Sequence, residues 1–164
     1  MSKRFNLREF QKNLSERLQA RSLGGEQATT LGVLVGHDYW LVEMRDISEV
    51  LPVPPMVPVP LTKPWYGGLA NVRGNLYSII DLPLFWGLHV ELRDGLNRVL
   101  LVSHKFEVNA GLLVTRVLGL RNISSWKHKE ADGRMQYEDE NGQVWQKLDI
   151  SSLVGQSEFL LIGI

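Results

Sequence analysis

Trp65-Tyr66-Gly67-Gly68-Leu69-Ala70-Asn71-Val72-Arg73-Gly74-Asn75-Leu76-Tyr77-Ser78-Ile79-Ile80-Asp81-Leu82 sets an Arg-Gly turn between two short apolar runs. Leu69–Val72 and Leu76–Leu82 read as buried strands, and Gly74 is free to take the positive φ that a tight hairpin requires. Such a hairpin holds Arg73 outward on a stiff support. On spacing alone, a merely solvated turn residue is an equal reading of Arg73.

Working outward, the chain continues in short β segments. Leu31–Val35, Tyr39–Met44 and Ile47–Leu51 are apolar-rich, with Gly36-His37-Asp38 as the first turn. The pattern favours an all-β barrel or sandwich, and Pro52 to Pro60, followed by Pro64, has too many prolines for a ladder strand and is expected to cross its surface as an extended segment. Phe85-Trp86-Gly87-Leu88 follows the Asp81-Leu82-Pro83 corner as a short helix or turn, and Asp81 is expected to hydrogen-bond its own corner. Arg98–Ser103 and Ala110–Leu120 form a second set of strands. Trp126–Met135 is polar and reads as disordered or as a loop, whereas Asn141-Gly142 joins Met135–Glu138 to Gln143–Leu148 as a hairpin. Gly67-Gly68 precedes a strand, so it suits a tight bend and not a phosphate cradle.

The first 20 residues follow a different period. Leu7, Phe10, Leu14 and Leu18 recur at steps of three and four, with Asn6 and Glu9 in capping-box relation, which predicts an amphipathic helix. Packing of its stripe on the body of the same chain is a better reading than docking to a partner. Arg21–Thr30, with Gly24-Gly25, reads as a link. Residues 1–30 are therefore read as a helical extension and linker, and residues 31–164 as a single domain. The apolar end Phe159–Ile164 is expected to add a strand or a plug, because a free run of that kind invites aggregation.

Composition narrows the function. With 164 residues, 44% of them hydrophobic, the chain can fill one good core or two small barrels that share one. Lys+Arg and Asp+Glu are equal at 18 each, so no overall field draws the molecule to nucleic acid or to an anionic membrane. The absence of cysteine removes disulfides, thiolate metal sites and cysteine nucleophiles together. No signal peptide or apolar span is evident, which points to a cytoplasmic protein.

Residues that could carry chemistry are scattered. His37, His89, His104 and His128 stand in separate contexts without a carboxylate at ligand spacing, so no metal or other cofactor is expected. Asp38, Asp46, Glu49 and Asp81 have no evident reason to pair for acid–base work, and an enzyme is not expected. The five tryptophans, Trp40, Trp65, Trp86, Trp126 and Trp145, read mainly as core and interface anchors. Their use as stacking platforms on a small nucleic-acid-binding barrel is the alternative, and the neutral net charge weighs against it.

The Gly68–Leu82 string resembles the signature of CheW-type chemotaxis coupling proteins, with Ser78 where that family commonly has Pro. The likeness extends from residue 30 to residue 155: Gly32–Pro52 resembles the family's opening hairpin, Arg98–Val102 and Gly111–Val117 its second barrel, and Val144–Leu153 its closing strand and turn. Thr115 stands where many members carry Asp. The resemblance implies a mainly β fold of two SH3-like five-stranded β-barrels around a shared core, here with the N-terminal amphipathic helix added. It also implies a non-enzymatic adaptor that couples the cytoplasmic tip of a methyl-accepting chemoreceptor to the regulatory domain of a CheA-type histidine kinase. Arg73 is the first expected partner contact and Gly74 sets its turn, with Glu49, Val50 and Val99 matching further partner-facing positions. No nucleic acid and no direct membrane insertion are implied, and a cytoplasmic adaptor of this kind is expected at membrane-associated receptor arrays. Gly68–Gly74 and the helical extension resemble the adaptors of type IV pilus twitching pathways more than flagellar ones.

Overall fold

A computed structural model describes residues 29–89 and 95–163. The amphipathic stripe of residues 6–20 and most of the following link lie outside them. Eleven strands run in the order β1 (Thr30–Val35), β2 (Asp38–Glu43), β3 (Ile47–Pro52), β4 (Tyr66–Val72), β5 (Asn75–Asp81), β6 (Arg98–Val102), β7 (Ala110–Val114), β8 (Arg116–Arg121), β9 (Lys127–Ala131), β10 (Arg134–Glu138) and β11 (Val144–Lys147). Among the described residues, three short helices accompany them: α1 (Leu82–Phe85), α2 (Ile150–Gly155) and α3 (Ser157–Leu160). Single 3₁₀ turns at Met44–Asp46 and His104–Phe106 lead into β3 and follow β6.

The strands form two mixed sheets, one of five in the order β3-β6-β7-β5-β4 and one of six in the order β8-β1-β2-β11-β10-β9. Period-2 alternation explains how the five-stranded sheet serves two cores at once. Tyr77 and Ile79 on β5, Val99 and Leu101 on β6, and Leu113 on β7 join Ala70 in an inner cluster. The residues between them, Ile80, Leu100, Val102, Leu112 and Val114, face the other way, into a larger core shared with Leu31, Val33, Trp40 and Val42 of the six-stranded sheet. A strand buried on both faces needs an unbroken apolar run, which is what Val99–Val102 and Leu112–Val114 supply.

Closure of the five-stranded sheet depends on the proline-rich crossover. β3 and β4 are its two ends, and Val57 bridges β4 by reciprocal bonds: its N–H donates to the Leu69 carbonyl at 2.8 Å, and the Leu69 N–H donates to the Val57 carbonyl at 2.9 Å. Leu51 from β3 and Met56 from the crossover pack on the inner cluster. The crossover thus lies along the barrel seam, as the sequence suggests, and Gly67-Gly68 lies beneath it, at a register shift between Tyr66 and Gly68.

Two expectations need correction. Trp126–Met135 is not a loop: β9 and β10 pair through Asp132-Gly133, both at positive φ (53° and 74°), the signature of a type I′ hairpin. β9 is a polar edge strand with every residue exposed or half-exposed, so no alternation announces it, and it gives this sheet its sixth strand where five were expected. Ala110–Leu120 is not one strand either. It breaks at Thr115, passing from one sheet to the other between β7 and β8.

Thr115 is tied in at that break. Its N–H donates to the Leu34 carbonyl at 2.9 Å, and its Oγ1 accepts the Gly36 N–H at 2.8 Å. Ser78 has a comparable role. Its N–H donates to the Asn109 carbonyl at 2.9 Å, a bond that Pro would forfeit, and its Oγ lies 2.8 Å from the Tyr66 hydroxyl.

Asp81 caps α1, accepting the Leu84 N–H at 3.2 Å. At the C-terminal end, Phe159 of α3 is buried in the shared core edge-on to Phe85, and the Lys63 N–H donates to the Ile162 carbonyl at 2.8 Å. This end therefore both plugs the core and bridges the crossover. Among the described residues, no helix is long and apolar enough to cross a membrane.

Candidate functional site

Arg73 and Gly74 are the two central residues of the β4–β5 hairpin, between the paired Val72 and Asn75. Their φ angles are 53° and 87°, again the type I′ pattern, which glycine adopts freely and arginine only under strain. Asn71 supports the turn by accepting the Gly74 N–H on Oδ1 at 2.9 Å. Non-glycine residues held in the left-handed region concentrate at binding sites, where the surroundings fix them.

The Arg73 guanidinium spans the barrel seam. Nη1 donates to Glu49 Oε2 at 2.6 Å and Nη2 to Oε1 at 2.5 Å, a bidentate fork to a residue on β3, the opposite end of the sheet. Arg73 stays 73% exposed and Glu49 29% exposed in their side chains. The two hydrogen bonds from Arg73 hold the Glu49 carboxyl below the ordinary carboxylate range, so the pair is charged at neutral pH. Curling of the five-stranded sheet brings together two residues that no local spacing connects.

The other residues singled out in the sequence are placed differently. Val50, next to Glu49, is half-buried against the shared core. Val99 is 0% exposed inside the five-stranded barrel, and a Cβ on Gly111 would lie only 2.7 Å from its Cγ1. Val99 therefore shapes the barrel wall from within, and Arg73, Gly74 and Glu49 form the exposed group.

A second feature, not singled out in the sequence, is a cleft of about 670 Å³ beside the six-stranded sheet. It is lined by Trp40, Glu43, Lys105, Phe106, Arg134 and Lys147, among others. Trp40 stacks on Trp86 at 4.4 Å, and the Arg134 guanidinium sits over the Trp40 ring at 5.4 Å. Lys147 and Arg45 both pair with Glu43, at 2.6 and 2.5 Å, and Lys105 pairs with Asp46 at 2.5 Å. Arg134 donates to the Gln146 amide oxygen at 3.4 Å and, among the described residues, forms no ion pair with a carboxylate. These residues come from β2, β10, β11 and the 3₁₀ turns, too dispersed for a motif to reveal. Among the described residues, no cluster of His, Asp and Glu is arranged to hold a metal ion.

The Glu43 pair gives a pH prediction. Burial raises the Glu43 carboxyl, but Lys147 and Arg45 outweigh it, and its pKa falls below the ordinary value. A lowered folded-state pKa means stability that is present at neutral pH and lost as pH falls below about 4.3 and through the folded value. After screening at this partly exposed site, the contribution stays under about 1 kcal/mol. Melting curves of the parent and Glu43→Gln should therefore differ by a few degrees near neutral pH and converge as the pH falls through the folded-state value.

Fold and site together define a small double-barrel β domain that presents a rigid charged pair at a barrel seam. The chain belongs to the CheW-like domain family, which its residues 29–158 match. It is 33% identical to "Protein PilI" of Pseudomonas aeruginosa over 112 residues, covering 68% of this chain and 62% of that protein. It is 29% identical to "Chemotaxis protein CheW" of Helicobacter pylori, again over 112 residues, covering 65% of this chain and 67% of the relative. The match thus spans a little under two thirds of the Pseudomonas protein's length and about two thirds of the Helicobacter one's. Among solved structures, the scaffolding protein TtCheW from Thermoanaerobacter tengcongensis matches in fold with a TM-score of 0.64 at 16% identity, over 80% of this chain and 95% of that one.

Proposed function

We propose that this chain is a non-enzymatic adaptor coupling methyl-accepting chemoreceptors to a CheA-type histidine kinase, with residues 31–164 as the coupling domain. The observation that carries the reading is the exposed Arg73–Glu49 fork on a strained type I′ turn. A solvated turn has no need of arginine in that conformation, whereas a presented contact does. The kinase's regulatory barrel domain is the partner at this end, with Gly74 setting the turn, Val50 flanking the contact and Val99 supporting the wall beneath it. Receptor helices occupy the space between the barrels. The similarity to the Pseudomonas protein PilI favours a type IV pilus twitching pathway. The chain acts in the cytoplasm, at receptor arrays on the membrane, and couples its partners by geometry alone, binding the two signalling states differently.

Calorimetric titration of the full chain into the regulatory domain of a CheA-type kinase tests the proposal. Saturable binding is expected, with affinity changing by less than about tenfold between about 50 and about 200 mM salt, because few charges are neutralised. No heat of binding at these concentrations would remove the proposal's main support. A steep salt dependence with single-stranded nucleic acid in place of the kinase would favour the small-barrel alternative.

A further inference from the structure

Trp40 is 4% exposed, and its Nε1 donor is shut away from solvent with no hydrogen-bond acceptor among the described residues. Buried indole N–H groups ordinarily find an acceptor, because an unmet donor keeps its full desolvation cost. Trp40 lines the cleft beside the six-stranded sheet, with Trp86 stacked on its ring at 4.4 Å and the Arg134 guanidinium over it at 5.4 Å. The fold fixes this grouping. β2, β11 and β10 are neighbours in the sheet, the register sets Gln146 of β11 beside Trp40, and the Asp132-Gly133 turn delivers Arg134 as the first residue of β10.

The charged groups of the lining balance one another, apart from one. Glu43 accepts from Lys147 at 2.6 Å and from Arg45 at 2.5 Å, and Asp46 accepts from Lys105 at 2.5 Å. Asp149 takes the Ser152 N–H on Oδ1 and the Ser152 hydroxyl on Oδ2, each at 3.1 Å. The lining therefore holds four cations against three carboxylates. Among the described residues the cation without an ion pair is Arg134, and its 3.4 Å bond to the Gln146 amide oxygen is a long one.

We propose that the cleft binds a small organic anion, its carboxylate or phosphate group held by the Arg134 guanidinium and the Trp40 indole N–H, and its apolar body lying against Trp86 and Phe106. A guanidinium fork matches the paired oxygens of either acid group. The cation stands over the same ring that carries the unmet donor, so one such group can accept from both. A volume of about 670 Å³ is that of a small-molecule site and leaves room for a ring beyond the acid group. A donor so covered is reached only when side chains of the cleft wall move aside, so the Trp40 indole resonance reports entry of the anion. Arg73 and Glu49 are not among the lining residues, and the site stands apart from the coupling function.

Naphthoate, naphthyl phosphate and the uncharged naphthylmethanol, each titrated into the full chain and followed by its indole N–H resonances, test the proposal without kinase or receptor. At least one of the two anions should saturate with a Kd below about 1 mM and shift the Trp40 indole resonance, and the tighter of the two identifies the acid group. Arg134→Gln, a change at an exposed residue, should weaken that binding by about tenfold or more while melting within a degree or two of the parent. Three results would overturn the site: naphthylmethanol binding as tightly as the anions, equal affinity in Arg134→Gln, or a Trp40 resonance that stays in place up to about 5 mM of either anion.

Discussion

Gly68→Ala is expected to lower the melting temperature by about 10 °C. Two costs coincide at this position. Gly68 has φ 131°, a region that an L side chain reaches only with strain, and a Cβ there would lie 2.5 Å from the Val57 carbonyl oxygen and 3.0 Å from its carbon. The obstacle is backbone, held by the two Val57–Leu69 hydrogen bonds, so it cannot rotate aside as a side chain would. Strain and overpacking together come to about 4 kcal/mol, at 2–4 °C for each in a domain of this size. Gly155→Ala is the control. Nothing lies within 4 Å of its Cβ position, and the substitution should leave the melting temperature within a degree or two of the parent. If Gly68→Ala melted like Gly155→Ala, the crossover would not be the rigid closure of the five-stranded barrel.

The second large effect concerns binding. Arg73→Glu should weaken association with the kinase regulatory domain by about 30-fold or more, the scale of a central arginine contact. It places two carboxylates where a fork now stands and leaves the barrel core untouched, since Arg73 is 73% exposed. Melting curves of the variant should confirm a folded protein. The swap Arg73→Glu with Glu49→Arg separates two roles. It restores an ion pair across the seam, so if the guanidinium itself meets the partner from the turn, binding stays weak. Binding recovered by the swap would mean that the pair matters only for holding β3 to the hairpin.

Much of this arrangement is legible from the chain. The Arg73-Gly74 hairpin, the capping role of Asp81 and the extended proline crossover all follow from local chemistry: positive φ at glycine, a side-chain acceptor before a helix, and prolines that cannot donate. What stayed hidden depended on partners distant in sequence. β9 has no apolar alternation, and its pairing with β10 follows only once Asp132-Gly133 is read as a turn. The break at Thr115 is silent because apolar residues continue on both sides while the sheet changes. Arg73 and Glu49 are 24 residues apart, and nothing local signals that sheet closure will join them. Val99 shows the converse limit, since an apolar strand residue reads the same whether it faces a groove or the barrel interior.

Coupling is tested most directly by kinase autophosphorylation reconstituted from a CheA-type kinase and receptor cytoplasmic fragments fixed in two signalling forms, with and without this chain. The two receptor forms should give different kinase output only when the chain is present, and Arg73→Glu should abolish the difference. Equal output from both forms, at concentrations where the chain saturates the kinase regulatory domain, would contradict the account.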